Sequence, residues 1–155
     1  MATNSCTKAC MAVAIFLSIF TGCGALPARD SVAQRIVGAW FVKMPEAPFQ
    51  YHMVIFNSDG TVVQSNPDAG DPHTSDSNGM GSWVADGNRV IGKFVEITAD
   101  RTTRAFASRG EISFNIDVTG DSISGSGSAR FYNVNGALDG APVAFTLSGV
   151  RVKPR

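Results

Sequence analysis

The sequence predicts an all-β protein, a single antiparallel up-and-down β-barrel of about eight strands that follows an N-terminal signal segment. Three observations predict it. Short apolar runs alternate with Gly, Asn, Asp and Ser from residue 35 to 153, and none is long and periodic enough for a buried helix. The turns Asn57-Ser58-Asp59-Gly60, Asp86-Gly87-Asn88 and Thr119-Gly120-Asp121 supply residues that accept positive φ, as tight hairpins require, so neighbouring strands run antiparallel. A meander of this length has two exposed edges unless the sheet closes on itself, and a barrel removes both. An open two-sheet sandwich is the alternative.

A chain of 155 residues is the size of one domain, and its segments separate cleanly. Residues 1–22 read as a signal peptide: Lys8 is the charge in the leading stretch, and MAVAIFLSIF after it is apolar but too short to span a bilayer. Phe20-Thr21-Gly22-Cys23 then resembles the bacterial lipobox, which implies a lipid anchor at Cys23. Cleavage after Ala25, giving a soluble secreted protein, is the alternative. Residues 23–34, with a proline and mixed charge, form a tether in which a brief helix at Ser31 to Gln34 is allowed. Residues 35–155 form the barrel domain.

Strands are expected at 35–44, 49–57, 60–66, 80–86, 89–99, 103–118, 122–134 and 142–153. The alternation is plainest in EISFNIDVTG, where Ile112, Phe114, Ile116 and Val118 share one face and Ser113, Asn115 and Asp117 the other. In the next strand Ile123, Gly125, Gly127, Ala129 and Phe131 share a face with unusually small residues at its middle. Either sharp curvature or room left for a ligand accounts for that stripe. The segment NPDAGDPHTSDSNG, residues 66–79, is a run of turn formers and acids expected to be a mobile loop at one end of the sheet, as lids and binding edges are.

Gly38-Ala39-Trp40 on the first strand and Arg151 on the last resemble the calycin pattern of lipocalins, fatty-acid-binding proteins and avidins. The chain is most similar to small exported bacterial proteins of lipocalin-like type, with Phe56 to Thr61 as an F-x-x-D-G-T turn. The resemblance implies that Trp40 plugs one end of the barrel with the Arg151 cation across its ring, Gly38 letting backbones approach. The ring and the cation attract each other on physical grounds alone.

Composition excludes several activities. With 13 basic and 13 acidic residues there is no broad attraction to nucleic acid, and none is expected as a partner. Cys6, Cys10 and Cys23 all precede the barrel, and His52 and His73 have no HxH or HxxxH spacing, so neither metal nor cofactor is expected. No nucleophile elbow, phosphate loop or paired-carboxylate motif occurs, and no catalytic residue is assigned. The expected function is binding of a small apolar molecule in an exported, periplasmic barrel anchored through Cys23 to the outer membrane. Its expected walls are Tyr51, Met53, Phe94, Glu96, Phe114, Ile116, Gly127, Ala129, Phe145 and Leu147. The opposite face of the second strand holds His52, Val54 and Phe56, with His52 read as a rim or surface residue. Glu96 is read chiefly as half of an exposed ion pair with Lys93 or Arg104; buried against Phe94 it would become a general acid or base. A cofactor-free enzyme of cyclase or isomerase type and a filled scaffold lipoprotein are the alternatives.

Overall fold

A computed structural model describes residues 31–154. It opens with helix α1 (Val32–Ile36), whose start is fixed by a capping box between Ser31 and Gln34. Nine strands follow: β1 (Gly38–Lys43), β2 (Tyr51–Phe56), β3 (Thr61–Ser65), β4 (Thr74–Asp76), β5 (Gly79–Asp86), β6 (Arg89–Asp100), β7 (Phe106–Thr119), β8 (Ser122–Asn133) and β9 (Val143–Arg151).

Eight of these, all but β4, pair antiparallel with their neighbours in chain order, and β9 returns to pair with β1. The sheet is thus a closed up-and-down barrel, compatible with a calycin-like fold. Closure gives every long strand two partners and leaves no long edge to aggregate. The three hairpin turns fall at one end, with Gly87 and Gly120 at φ 58° as their tight reversals require. The connections 44–50, 66–78, 101–105 and 134–142 fall at the other end.

The turn end is shut. Trp40, Ile36, Phe56, Val62 and Val90 are all but inaccessible to solvent, with Val32 and Ile36 of α1 laid beneath the barrel. Trp40 donates its indole N–H to the Ile36 carbonyl at 2.8 Å, so its one polar atom is satisfied. Arg151 pairs with Trp40 in register and places its guanidinium 4.3 Å from the ring centroid. Its nitrogens donate to the carbonyls of Val37, at 2.8 Å, and Arg35, tying the last strand to the helix. Gly38 stands two places before Trp40 for two reasons. Its φ of +128° is closed to residues with a Cβ, and a Cβ there would lie 2.9 Å from Arg151 Nη1.

Elsewhere the observed elements depart from the expected ones where side chains cap the backbone. The first strand starts at Gly38, because α1 occupies residues 32–36. The sixth expected strand, 103–118, starts instead at Phe106, because the Asp100 carboxylate accepts from the Thr102 and Thr103 amides and holds a turn there. Residues 66–79, expected as a mobile loop, contain strand β4 paired with the end of β6. Asp68 organises that segment: its carboxylate accepts from the Ser75 hydroxyl at 2.8 Å and the Asp76 amide at 2.9 Å, and pairs with Arg101 at 2.9 Å.

Candidate functional site

The long connections surround a cavity of about 540 Å³. Residues 44–50 form one rim, pinned by the Glu46 carboxylate accepting from the amide and hydroxyl of Thr146 on β9. The 66–79 segment forms another, through Asn66, Gly70, Asp71, Thr74 and Asp76. Phe49, Phe94, Ile112, Phe131 and Phe145 make the apolar wall. The dimensions suit a ligand of small-molecule size.

Four of the expected wall residues, Phe94, Glu96, Ala129 and Phe145, do line this cavity. Phe114, Ile116 and Leu147 lie lower, around a void of about 20 Å³ towards the Trp40 plug, below what a ligand needs. Tyr51 and Met53 are on the outside, 44% and 40% exposed, with the Tyr51 ring stacked on Phe41 at 5.6 Å. Register explains this: Val54 pairs with the buried Trp40, cross-strand partners share a face, and alternation then carries His52 and Phe56 inward and Tyr51 and Met53 outward.

Gly127 does not open volume for a ligand. A Cβ there would lie 2.2 Å from the Ser113 carbonyl oxygen and 2.3 Å from the Phe145 ring, so the aromatic ring already occupies the space above the glycine. Gly79 serves Phe94 and Gly92 serves Phe114 in the same way. Inward glycines and large rings on adjacent strands are thus complementary, and the small stripe records close packing and curvature.

His52 is buried, 7% exposed, and lines the cavity wall. Two amides determine its tautomer. Gln64 Oε1 accepts from the Gly79 amide and Asn66 Oδ1 from the Asp68 amide, which turns both NH₂ groups towards His52 Nδ1, at 2.8 and 3.5 Å. Nδ1 is therefore the acceptor and Nε2 carries the proton. Nε2 is buried without a hydrogen-bond partner. An unpaired buried donor of this kind costs roughly 1–3 kcal/mol. Burial holds the imidazole below its usual pKa, and the nearby Phe49 carbonyl opposes the shift without completing a hydrogen bond to Nε2.

Glu96 points inward from β6. Its carboxyl lies over Gly110, where an added Cβ would sit 3.0 Å from Oε1 and 3.2 Å from the Phe131 ring. Lys93, one of the two expected partners, pairs instead with Glu111 at 2.9 Å on the outer face, and among the described residues no ion pair joins Glu96 to the other, Arg104. Burial and the negative charge of Asp76 push the Glu96 carboxyl up to about 7. Among the described residues no hydrogen bond reaches that carboxyl. Asp76 is anchored on both sides, its Oδ1 accepting from Thr98 at 2.8 Å and its amide donating to Asp68.

Sequence reasoning missed several contributors, Ile112 and Phe131 of the apolar wall among them. The 44–50 rim carries no motif, Asp76 appeared only as one acid in a turn-rich run, and Gly110 has no local signature at all. The Asp68 contacts make a direct test of the rim: Asp68→Ala should raise hydrogen exchange at the Asp76 amide at least about tenfold, by freeing the segment from three anchors. Unaltered protection at Asp76 would show that other contacts hold the rim.

Among the described residues no group of three or more His, Cys, Asp or Glu is placed to hold a metal ion, and no helix is long and apolar enough to cross a membrane. No protein-family model, no curated protein and no solved structure matches the chain.

Proposed function

We propose that this protein binds a small, predominantly apolar molecule inside the barrel, entering between the 44–50 and 66–79 rims. The observation that carries the reading is a cavity of about 540 Å³ at the end away from the Trp40 plug, walled by Phe49, Phe94, Ile112, Phe131 and Phe145. A filled scaffold would have no such space. Titration with an environment-sensitive hydrophobic dye tests it, together with native mass spectrometry of protein purified from its own host. An absence of dye binding by correctly folded protein would overturn it.

The same reading places the barrel outside the cytoplasm, anchored by lipid at Cys23. That part of the chain, with the signal segment and most of the tether, lies outside the described residues. The support is the apolar run ending in Thr21-Gly22-Cys23. Gly24 does not resemble the aspartate that retains such proteins at the inner membrane, so the outer membrane is the expected address. Cys23→Ala should release the protein from the membrane fraction. A mature mass beginning at Leu26 without lipid would instead establish the soluble secreted form.

A second reading, a cofactor-free enzyme of isomerase or cyclase type, is favoured by one observation: Glu96 borders the cavity with an acidity suited to proton transfer near neutrality. Its protonation is testable through stability. The folded pKa of about 7 lies above the ordinary 4.5, so the native state keeps a proton that the unfolded chain has lost between those values. Wild-type stability therefore falls as pH rises from 4.5 to about 7 and stays lower above it. Glu96→Gln should match wild type at pH 4 and be more stable at pH 8 by on the order of 2–3 kcal/mol. Equal stabilities across that range would mean that Glu96 is ionised at pH 8 without penalty.

A further inference from the structure

Resting on the ligand-binding reading, the geometry points to the chemical class of the ligand: an organic cation, an amine-bearing apolar molecule whose ammonium group sits at Glu96 and Asp76 while its body lies against the phenylalanines. Among the described residues the carboxyl-bearing ones of the cavity are Glu46, Asp71, Asp76 and Glu96, and no lysine or arginine lines it. The asymmetry is local, because the whole chain is charge-balanced. The nearby cations are engaged elsewhere: Arg101 is held by Asp68, and Lys93 and Arg109 by Glu111 outside the barrel.

Glu96 lines the cavity and, among the described residues, its carboxyl has no hydrogen-bond partner, so a donor on an occupant can bind it. An ammonium group completes the Glu96 side. It donates to the carboxyl seated over Gly110, next to the Phe131 ring, and Asp76 adds a second negative charge. Phe49, Phe94, Phe131 and Phe145 then offer ring faces to the cation and its first methylenes. A carboxylate ligand meets the opposite situation. It would enter past Glu46 and Asp71 at the rims and lose its hydration beside Asp76 with no cation to receive it. Fatty acids are therefore poor ligands despite the apolar walls.

The charge state of Glu96 makes this preference depend on pH. The titratable groups that line the cavity with it are Asp76 on β4, Asp71 and Glu46 on the rims, and His52, whose burial favours the neutral imidazole. Burial first, and then the negative charge of Asp76, raise its pKa to about 7. An ammonium group should lower that pKa and hold Glu96 ionised.

Three probes of equal chain length separate the possibilities: octylamine, octanol and octanoate, each displacing a neutral hydrophobic dye below its micellar concentration. At pH 8 octylamine should bind at least about tenfold more tightly than octanol, with octanoate weakest. At pH 5.5 the amine's advantage over the alcohol should shrink several-fold as Glu96 takes up a proton. In Glu96→Gln the advantage should fall to about threefold or less. The wild-type pH dependence gives the same readout should the variant fold poorly. Octanoate binding as well as octylamine, or octanol equal to octylamine at both pH values, would overturn the cation assignment and leave the cavity reading intact. Failure of the dye itself to bind would remove both.

Discussion

Trp40→Ala should lower the stability of the barrel by about 3–5 kcal/mol, the range for deleting a fully buried large aromatic. Several structural elements meet on this one ring. It is inaccessible to solvent, hydrogen-bonded to the end of α1 and covered by Arg151 of the last strand, so its removal opens a cavity and unties the helix at once. Arg151→Ala should cost less, about 1–2 kcal/mol, from the lost ring contact and the carbonyls of Val37 and Arg35 left without their donor. The two effects should not add, since each residue holds the other in place. Denaturant unfolding of both single variants and the double variant measures the coupling. An interaction energy of zero would show that ring and guanidinium contribute independently, and that barrel closure rests on the strand ladder alone.

The second large effect separates two small residues on one strand. Gly127→Leu should prevent the barrel from closing, because even the first carbon of the new side chain meets a backbone oxygen at 2.2 Å and the Phe145 ring at 2.3 Å. Neither the Ser113 carbonyl nor the β7–β8 ladder can give way without losing hydrogen bonds. Ala129, two positions along, faces the cavity. Ala129→Phe should therefore fold, at a cost of no more than about 1–3 kcal/mol, and weaken dye binding at least about tenfold by filling the site. Circular dichroism and dye titration on the two variants read fold and binding separately. A folded Gly127→Leu with impaired binding would return the cavity to the glycine stripe. Unchanged dye binding in Ala129→Phe would show that the dye does not occupy this cavity.

Much of the fold was legible because β-structure leaves local marks. Ile112, Phe114, Ile116 and Val118 alternate with polar residues, and all four are buried in the structure. The Gly87 and Gly120 turns demand positive φ, which few residues other than glycine and asparagine supply easily, so the hairpins are marked one by one. Gly38, Trp40 and Arg151 could be paired across the whole barrel only because their combination resembles a known closure. The separation between Trp40 and Arg151 carries no local signal.

The candidate site was legible only in part. Phe94, Glu96, Ala129 and Phe145 do line the cavity, whereas Tyr51 and Met53, expected as walls, face outward, and His52, read as a rim or surface residue, is buried in the cavity wall. Alternation along YHMVIF yields two equally apolar sets, Tyr51-Met53-Ile55 and His52-Val54-Phe56, and nothing in the strand itself says which is inside. Pairing with Trp40 decides it.

By itself the sequence determined the order of the eight barrel strands, the turns, the antiparallel meander and the plug, because each depends on residues a few positions apart or on one distinctive set of side chains. Only the tertiary structure decided which faces turn inward, that Phe145 fills the space over Gly127, and that Asp76 from a short unexpected strand approaches Glu96. Those outcomes depend on register and on volume shared between strands distant in the chain. Burial then changed the chemistry: away from solvent and beside another acid, Glu96 holds its proton to about pH 7, a property that no residue has in sequence alone.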